Sequence, residues 1–277
     1  MSTMTTMNRQ ISTKINKLLQ QWPKGTLVVQ SWLEQQDIYR QLSDAYCKHG
    51  WLERFEPGVY KRAGDDVSWT GALYTLQREM QLKIHVGAQT ALELTGFGYH
   101  VTMGHRQSPR LFTPSGDTRK IPTWFKRHFI NNKMAYVAYN KLFGQSWDFG
   151  LQEYSIDNQY SILVSGHERA IMECLYLAPK HISLEYVFNL MQPLKTLRPD
   201  MVKMLLTQCT SIKVKRLFLY FAEQQNQPWF DQLDVSEIDL GKGIRQIGAG
   251  GRFVAKYRLS IPDLNKHEGY PEDDTAV

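Results

Sequence analysis

The chain is short of cysteine. It has three, Cys47, Cys174 and Cys209, and they lie far apart. Thiols so separated build neither a disulfide framework nor a metal site of the usual ligand spacing. Cys174 and Cys209 fall on helical patterns and read as small buried side chains. Long apolar runs are missing too. No stretch reaches the roughly 18 apolar residues of a membrane-spanning helix. The opening MSTMTTMNRQ has no apolar core, so no secretory signal is expected and the expected compartment is the cytoplasm. Catalytic signatures are lacking as well. There is no GK[ST] phosphate loop and no GxGxxG, and HExxH fails because position 171 is Ile. His85, His100, His105, His128, His181 and His267 are scattered without ligand spacing. No nucleophile, base and orienter come together, so the expectation is a protein that is not an enzyme, with no cofactor and no metal.

What is there is a packed globular chain. Of 277 residues, 42% are hydrophobic and 22% charged, which excludes bulk disorder and leaves room for two domains. The net charge is +6, which suggests an anionic partner. Its placement is more informative: residues 1 to 62 hold nine Lys/Arg against five Asp/Glu. The last eleven residues, HEGYPEDDTAV, are acidic and offer almost nothing to a core, so 267–277 is expected to be a frayed tail.

Ile11, Ile15, Leu18, Leu19 and Trp22 recur at helical spacing, with Asn8 as N-cap and Pro23 and Gly25 as the stop. TLVVQ follows as a short β-like stretch. SWLEQQ opens with Ser31 and has Glu34 three residues on, the signature of a capping box before a second helix. RQLSDAYCKHG, 40–50, predicts a third helix with Leu42, Ala45 and His49 on one side and Gly50 as its stop. WLERF and VYKR then form a hairpin turning at Pro57-Gly58. Helix, short strand, helix, tight turn, helix and β-hairpin is the layout of a winged helix-turn-helix.

Farther on, DVSWTGALYTLQREM predicts a helix, KIHVG a strand and AQTALELTGFG a short helix. The polar stretch 99–109 is the expected domain boundary. Strand-like runs follow at 110–114, 127–132, 134–140, 151–157 and 160–165, then helical patterns at about 166–178, 183–192, 198–208 and 211–225. The expected fold class is α+β: an N-terminal domain, 1–95, with its winged helix-turn-helix core at about 8–62, then a larger mixed α/β C-terminal domain, 96–266.

A recognition helix needs polar and basic side chains that reach base edges and phosphates in the major groove. Arg40, Gln41, Ser43, Tyr46 and Lys48 supply them, with Asp44 as an acidic exception. Arg54, Lys61 and Arg62 on the hairpin suit the flanking backbone, and Lys24, Thr26 and Gln30 stand ready before the second helix. The competing reading is a solvated face on a small structural or protein-docking domain.

Three other stretches bear weighing. SGHERAIMECL, 165–175, gathers Ser, His, Glu and Arg, but neighbours on one helix do not face each other. Ser165 as N-cap with Glu168 three residues on explains it better. GKGIRQIGAGGRFVAKYR, 241–258, reads as a hairpin with glycine turns, and Lys242, Arg245, Arg252 and Lys256 make it the candidate functional surface of the C-terminal domain, toward RNA or an acidic protein. RKIPTWFKRHF, 119–129, reads as an edge strand with Trp124 and Phe129 turned inward.

YRQLSDAYCKHGWLERFEPGVYKR, IHVGAQTALELTGFG and ILVSGHERAIMECLYLAP, together with the helical section after them, resemble the AbiEi antitoxin family of bacterial toxin–antitoxin systems. The resemblance covers most of residues 8 to 258. It implies a winged-helix domain that binds inverted repeats in the promoter of its own operon and represses it. It also implies a C-terminal domain that counteracts a cognate nucleotidyltransferase toxin in the type IV manner, with no stable complex required. Arg40, Gln41, Ser43, Tyr46, Lys48, Arg54, Lys61 and Arg62 are the positions that map onto recognition helix and wing. Glu56 departs from the Gly-rich or basic wing turn commoner in the family, which favours contacts from the wing strands over its tip. The alternatives are a direct protein–protein neutraliser and an RNA- or nucleotide-acting enzyme that reverses toxin modification.

Overall fold

The computed structural model describes residues 14–97, 109–114, 120–130, 136–138, 142–143, 147–248, 251–262 and 264. The Asn8 cap, most of the 99–109 boundary and the 267–277 tail lie outside the described residues.

The winged-helix order is present. Helix α1 is described over 14–21, followed by β1 (Val28–Val29), α2 (Gln30–Gln35), α3 (Arg40–Lys48), β2 (Leu52–Glu56) and β3 (Val59–Arg62). The strands form an antiparallel sheet in the order β1-β3-β2. Ile15, Leu18 and Trp22 lie on one face of α1 and pack with Val28, Leu33, Ile38, Tyr46, Leu52 and Tyr60. Gly58 turns the hairpin at φ +73°, a conformation that suits glycine. Asp37, at φ +59°, makes the tight turn between α2 and α3.

Helix α2 begins one residue before the expected cap. Its N-cap is Val29, with no side-chain bond, so Ser31 and Glu34 form no capping box. Strand β1 runs straight into the helix, and pairing of Val29 with Val59 fixes the entry instead.

Helix α4 (Trp69–Tyr74) continues as a π-turn, Thr75–Glu79. A five-stranded sheet then collects β4 (His85–Val86), β5 (Leu111–Thr113), β6 (Tyr136–Ala138), β7 (Leu151–Ile156) and β8 (Tyr160–Ser165) in the order β6-β5-β4-β8-β7. Residues 123–129, expected as an edge strand, are helix α6 (Thr123–Phe129). Pro122 stands at its N-cap, and Phe125 and Phe129 meet at helical spacing. The same aromatics satisfy a strand period over so short a run, and local pattern alone does not separate the two.

The chain packs as two compact units that interleave in sequence. The first draws on Met1–Val86, Gln107–Ala138 and Leu151–Val164, the second on Gly87–Arg106, Tyr139–Gly150 and Ser165–Val277. Packing thus departs from a single cut after residue 95. Strand β4, from before that point, pairs with β5 and β8, from after it.

The second unit is helical: α5 (Ala88–Leu94), α7 (His167–Leu177), α8 (Leu184–Met191), α9 (Pro199–Gln208) and α10 (Ile212–Gln224). Ser183 and Ser211 cap α8 and α10 by accepting from Tyr186 N and Val214 N, and Pro199 opens α9. A small sheet completes it, with β9 (Arg245–Gln246), β10 (Arg252–Val254) and β11 (Leu259–Ile261) in the order β10-β11-β9. Among the described residues no helix is long and apolar enough to cross a membrane.

Candidate nucleic-acid interface

Helix α3 presents Arg40, Gln41, Asp44 and Lys48 to solvent, with Tyr39 just ahead of it at 64% exposure. Its buried stripe is Ser43 and Tyr46, one position on from the expected Leu42 and Ala45, and His49 is exposed. Ser43 and Tyr46, expected at DNA, thus point into the fold instead. Tyr46 fills the core. Ser43 Oγ donates to Gln30 Oε1 at 3.1 Å.

Gln30 is the hub of that arrangement. Its Oε1 also accepts from Tyr60 Oη at 3.1 Å, and its Nε2 donates to Ile38 O and Glu34 Oε1, both at 3.2 Å. One amide thus ties α2, α3 and β3 together. It serves this framework rather than a phosphate. Gln30→Ala is expected to lower stability by about 1–3 kcal/mol, because the Tyr60 hydroxyl loses its acceptor and Ser43 is left with only the longer bond to Tyr39 O. Urea unfolding measures it.

Thr26, expected at a phosphate, points inward too. It is fully buried, accepting from Trp22 Nε1 at 3.0 Å and donating to Pro23 O at 2.8 Å. Arg62 turns back on α1, where it donates to Leu19 O and lies 5.7 Å from the Trp22 ring centroid. Burial lowers its pKa from the usual arginine value. Lys61 bonds Asp65 O at 2.9 Å and pairs with Glu53 at 2.8 Å. Neither Lys61 nor Arg62 projects freely. Lys24, Arg40, Gln41 and Lys48 remain exposed. Arg54 is exposed as well and pairs with Asp44 at 2.5 Å. This contact joins wing to recognition helix and neutralises the acid that had looked out of place.

The wing is not a free hairpin. Phe55 stacks on Phe129 with centroids 5.9 Å apart and approaches His128 at 4.5 Å. Glu56 accepts from Arg127 at 2.8 Å and lies 2.8 Å from His128 Nε2. Its side chain is only 15% exposed. Bonds from His128 and then Arg127 hold its carboxyl below the usual carboxylate range. Helix α6 thus covers the acidic wing tip with basic side chains. Sequence reading missed this role, and the signal was the basic–aromatic run 119–129.

The other candidates separate cleanly. In 165–175 the N-cap is Gly166, so the expected Ser165–Glu168 capping box is absent. Ser165 Oγ donates to Glu173 Oε2 at 2.8 Å, and Arg169 Nε donates to Glu173 Oε1 at 3.0 Å. Glu168 accepts from Arg198 Nε at 2.9 Å and Arg198 N at 3.0 Å. Burial opposes its charge, yet those bonds leave its pKa lowered. His167 packs on Phe97 at 4.4 Å, and burial pushes its pKa down. Ser, His and Glu each serve a different partner. Among the described residues no cluster of three His, Cys, Asp or Glu is placed to hold a metal ion. In the second unit Lys242 and Arg245 are exposed, Arg252 donates to Tyr220 Oη at 3.1 Å, and Lys256 pairs with Glu223.

A polar, partly basic helix beside a β-hairpin, both carried on a small helical core, defines a winged helix-turn-helix protein. Family models describing the AbiEi antitoxin, a transcriptional regulator of type IV toxin–antitoxin systems, match residues 11–103 for its N-terminal domain and 108–262 beyond it. The chain belongs to the AbiEi antitoxin family of transcriptional regulators. Its fold is similar to the crystal structure of the RV2827C protein from Mycobacterium tuberculosis, at a TM-score of 0.52 and 10% identity over 91% of this chain and 89% of that one. At that identity the likeness concerns the fold alone. No curated protein matches the chain.

Proposed function

We propose that this chain binds duplex DNA upstream of its own toxin–antitoxin operon, at inverted repeats, and represses it. Helix α3 lies in the major groove with Arg40, Gln41 and Lys48 at base edges and phosphates, while Lys24 and Arg54 contact the flanking backbone. Lys61, held by Glu53, adds only to the local field. The observation that carries this reading is the exposed face of α3, held beside Arg54 by the Asp44 pair and fixed from below by Gln30. A rigid, pre-set face loses little freedom on binding.

The antitoxin half of the proposal is that the chain counteracts a nucleotidyltransferase toxin from a neighbouring reading frame. The exposed basic surface around Lys242, Arg245, Arg252 and Lys256 is our candidate for that role. Co-expression with the toxin should restore growth. Stable co-purification of the two would favour direct neutralisation instead.

The DNA reading is tested by anisotropy on the upstream region. Arg40→Ala and Lys48→Ala should each weaken binding about tenfold, which is 1.4 kcal/mol. Each should also lower the log–log salt slope by about 0.9, the value for one lost phosphate contact. Binding unchanged in the double variant would sink the proposal.

A further inference from the structure

Residues 241–262 contain Lys242, Arg245, Arg252, Lys256 and Arg258 and not one Asp or Glu. So one-sided a stretch is uncommon on a surface where charges of both signs usually alternate. Below it sits another cation. Arg216 on α10 is 1% exposed. Its Nε donates to Leu240 O at 2.7 Å, its Nη1 to Gly243 O at 2.6 Å and Arg258 O at 3.0 Å, and its Nη2 to Gly241 O at 3.1 Å. All four partners are backbone carbonyls. They take four of the guanidinium's five N–H donors and pin the 240–243 loop against Arg258, but carry no full negative charge to cancel it. Burial lowers its pKa, Arg258 and Arg245 add to that, and Asp239 opposes them. An arginine stays charged all the same. The platform is thus rigid, and its field is positive from within as well as at the rim.

The outer face carries an aromatic. Phe253 pairs with Ser260, and Ser260 with Gln246, so the three form one row across β10, β11 and β9 on the same side of the sheet. Leu259 and Ile261, which alternate with Ser260, are fully buried on the other side. Phe253 is 54% exposed, and Ile244 nearby in sequence is 69% exposed. An exposed ring within a cationic rim suits a polyanion that also offers free π-faces. Duplex DNA does not, because its bases are already stacked and its grooves call for a helix or ribbon inserted edge-on.

We propose that the β9–β10–β11 face binds single-stranded RNA: Phe253 stacks on a base, Lys242 and Arg258 meet the flanking phosphates, and Gln246 and Ser260 hydrogen-bond a ribose 2′-hydroxyl. The 2′-hydroxyl contact separates RNA from single-stranded DNA of the same sequence. This site is distinct from the face of α3; it lies on the basic surface put forward above for opposing the toxin, and because RNA binding is read without the toxin, either reading can fail alone.

The test is fluorescence anisotropy of the full chain with a labelled single-stranded RNA of mixed sequence. Wild type should bind, with single-stranded DNA and duplex DNA of equal length competing at least about tenfold less well. Phe253→Ala should weaken binding about 5- to 100-fold, the usual span for one stacked base. Phe253→Trp should keep it. Lys242→Gln and Arg258→Gln should each lower the salt slope by about 0.7, the single-strand value per phosphate. Arg245→Gln should leave it unchanged, because Arg245 pairs with Leu259 and so lies on the other side of the sheet. Phe253 is largely exposed, so a thermal melt of the alanine variant should match wild type. Unchanged affinity in Phe253→Ala overturns the proposal, as does equal competition by either DNA. Binding of an acidic protein in place of RNA, with no RNA retained by wild type, overturns it too.

Discussion

Glu173→Ala is expected to destabilise the chain by about 3–5 kcal/mol, the usual consequence of removing one partner from a buried ion pair. Both Arg169 and Glu173 are fully buried. The carboxylate accepts from Arg169 Nε at 3.0 Å, Ser165 Oγ at 2.8 Å and Ala88 N at 2.9 Å. Alanine removes the carboxylate that faces the buried guanidinium, whose Nη1 also donates to Phe149 O. It also frees Ala88, held at φ +50° in a region that non-glycine residues avoid. Glu173→Gln keeps the shape and one acceptor and should recover part of the loss. Urea unfolding of the full chain measures both. A cost below about 1 kcal/mol for the alanine variant would contradict the role assigned to this network.

Glu79→Gln should stabilise the protein at alkaline pH, and the gain should grow with pH. Burial pushes the Glu79 carboxyl up from 4.5 to about 9, and the hydrogen bond from Val29 N at 3.4 Å offsets this only in part. The folded state therefore keeps a proton that the unfolded chain has released. With folded pKa above unfolded pKa, stability is fully present below about pH 4.5 and is lost as pH rises toward about 9. Each pH unit in that window costs about 1.4 kcal/mol, so wild type and variant should diverge by up to roughly 4 kcal/mol between pH 5 and pH 8. Glutamine is neutral throughout and keeps an acceptor for Val29 N–H. Stability curves of the two proteins that run parallel from pH 5 to pH 8 would refute the assignment. Val29 is the N-cap of α2, so the carboxyl oxygen that accepts from Val29 N ties Glu79 to the base of the helix-turn-helix.

Much of the fold was legible because its signals are local. Helices expected at about 166–178, 183–192, 198–208 and 211–225 appear at His167–Leu177, Leu184–Met191, Pro199–Gln208 and Ile212–Gln224. Each has an apolar stripe long enough to fix its period, and two have a serine cap. Short elements were harder. Thr123–Phe129, six of whose seven side chains are basic or aromatic, fits a strand or a helix equally, and its contacts with Phe55 and Glu56 lie some 70 positions away in sequence. The capping boxes failed for a related reason. Strand pairing at Val29 and the pull of Glu173 on Ser165 outcompete a local bond.

The candidate interface divides along the same line. Composition and order sufficed to place a basic winged helix-turn-helix at the start of the chain, and the exposed Lys24, Arg40, Gln41 and Lys48 follow from helix and loop position. Which polar residues turn inward did not follow. Ser43, Thr26 and Gln30 have side chains as fit for phosphate as for a buried hydrogen bond, and only Tyr60, Trp22 and Ile38, brought close by folding, decide between them.

By itself, then, the sequence determined the class: element order, apolar periods and charge asymmetry are properties of short windows, and they survive in any packing that buries those periods. Tertiary structure decided the surface. Asp44 is neutralised by Arg54, Glu56 is covered by α6, and Arg62 is folded back on Trp22. A side chain's exposure and charge depend on what the rest of the chain sets against it, and those neighbours come from elements that no local pattern links.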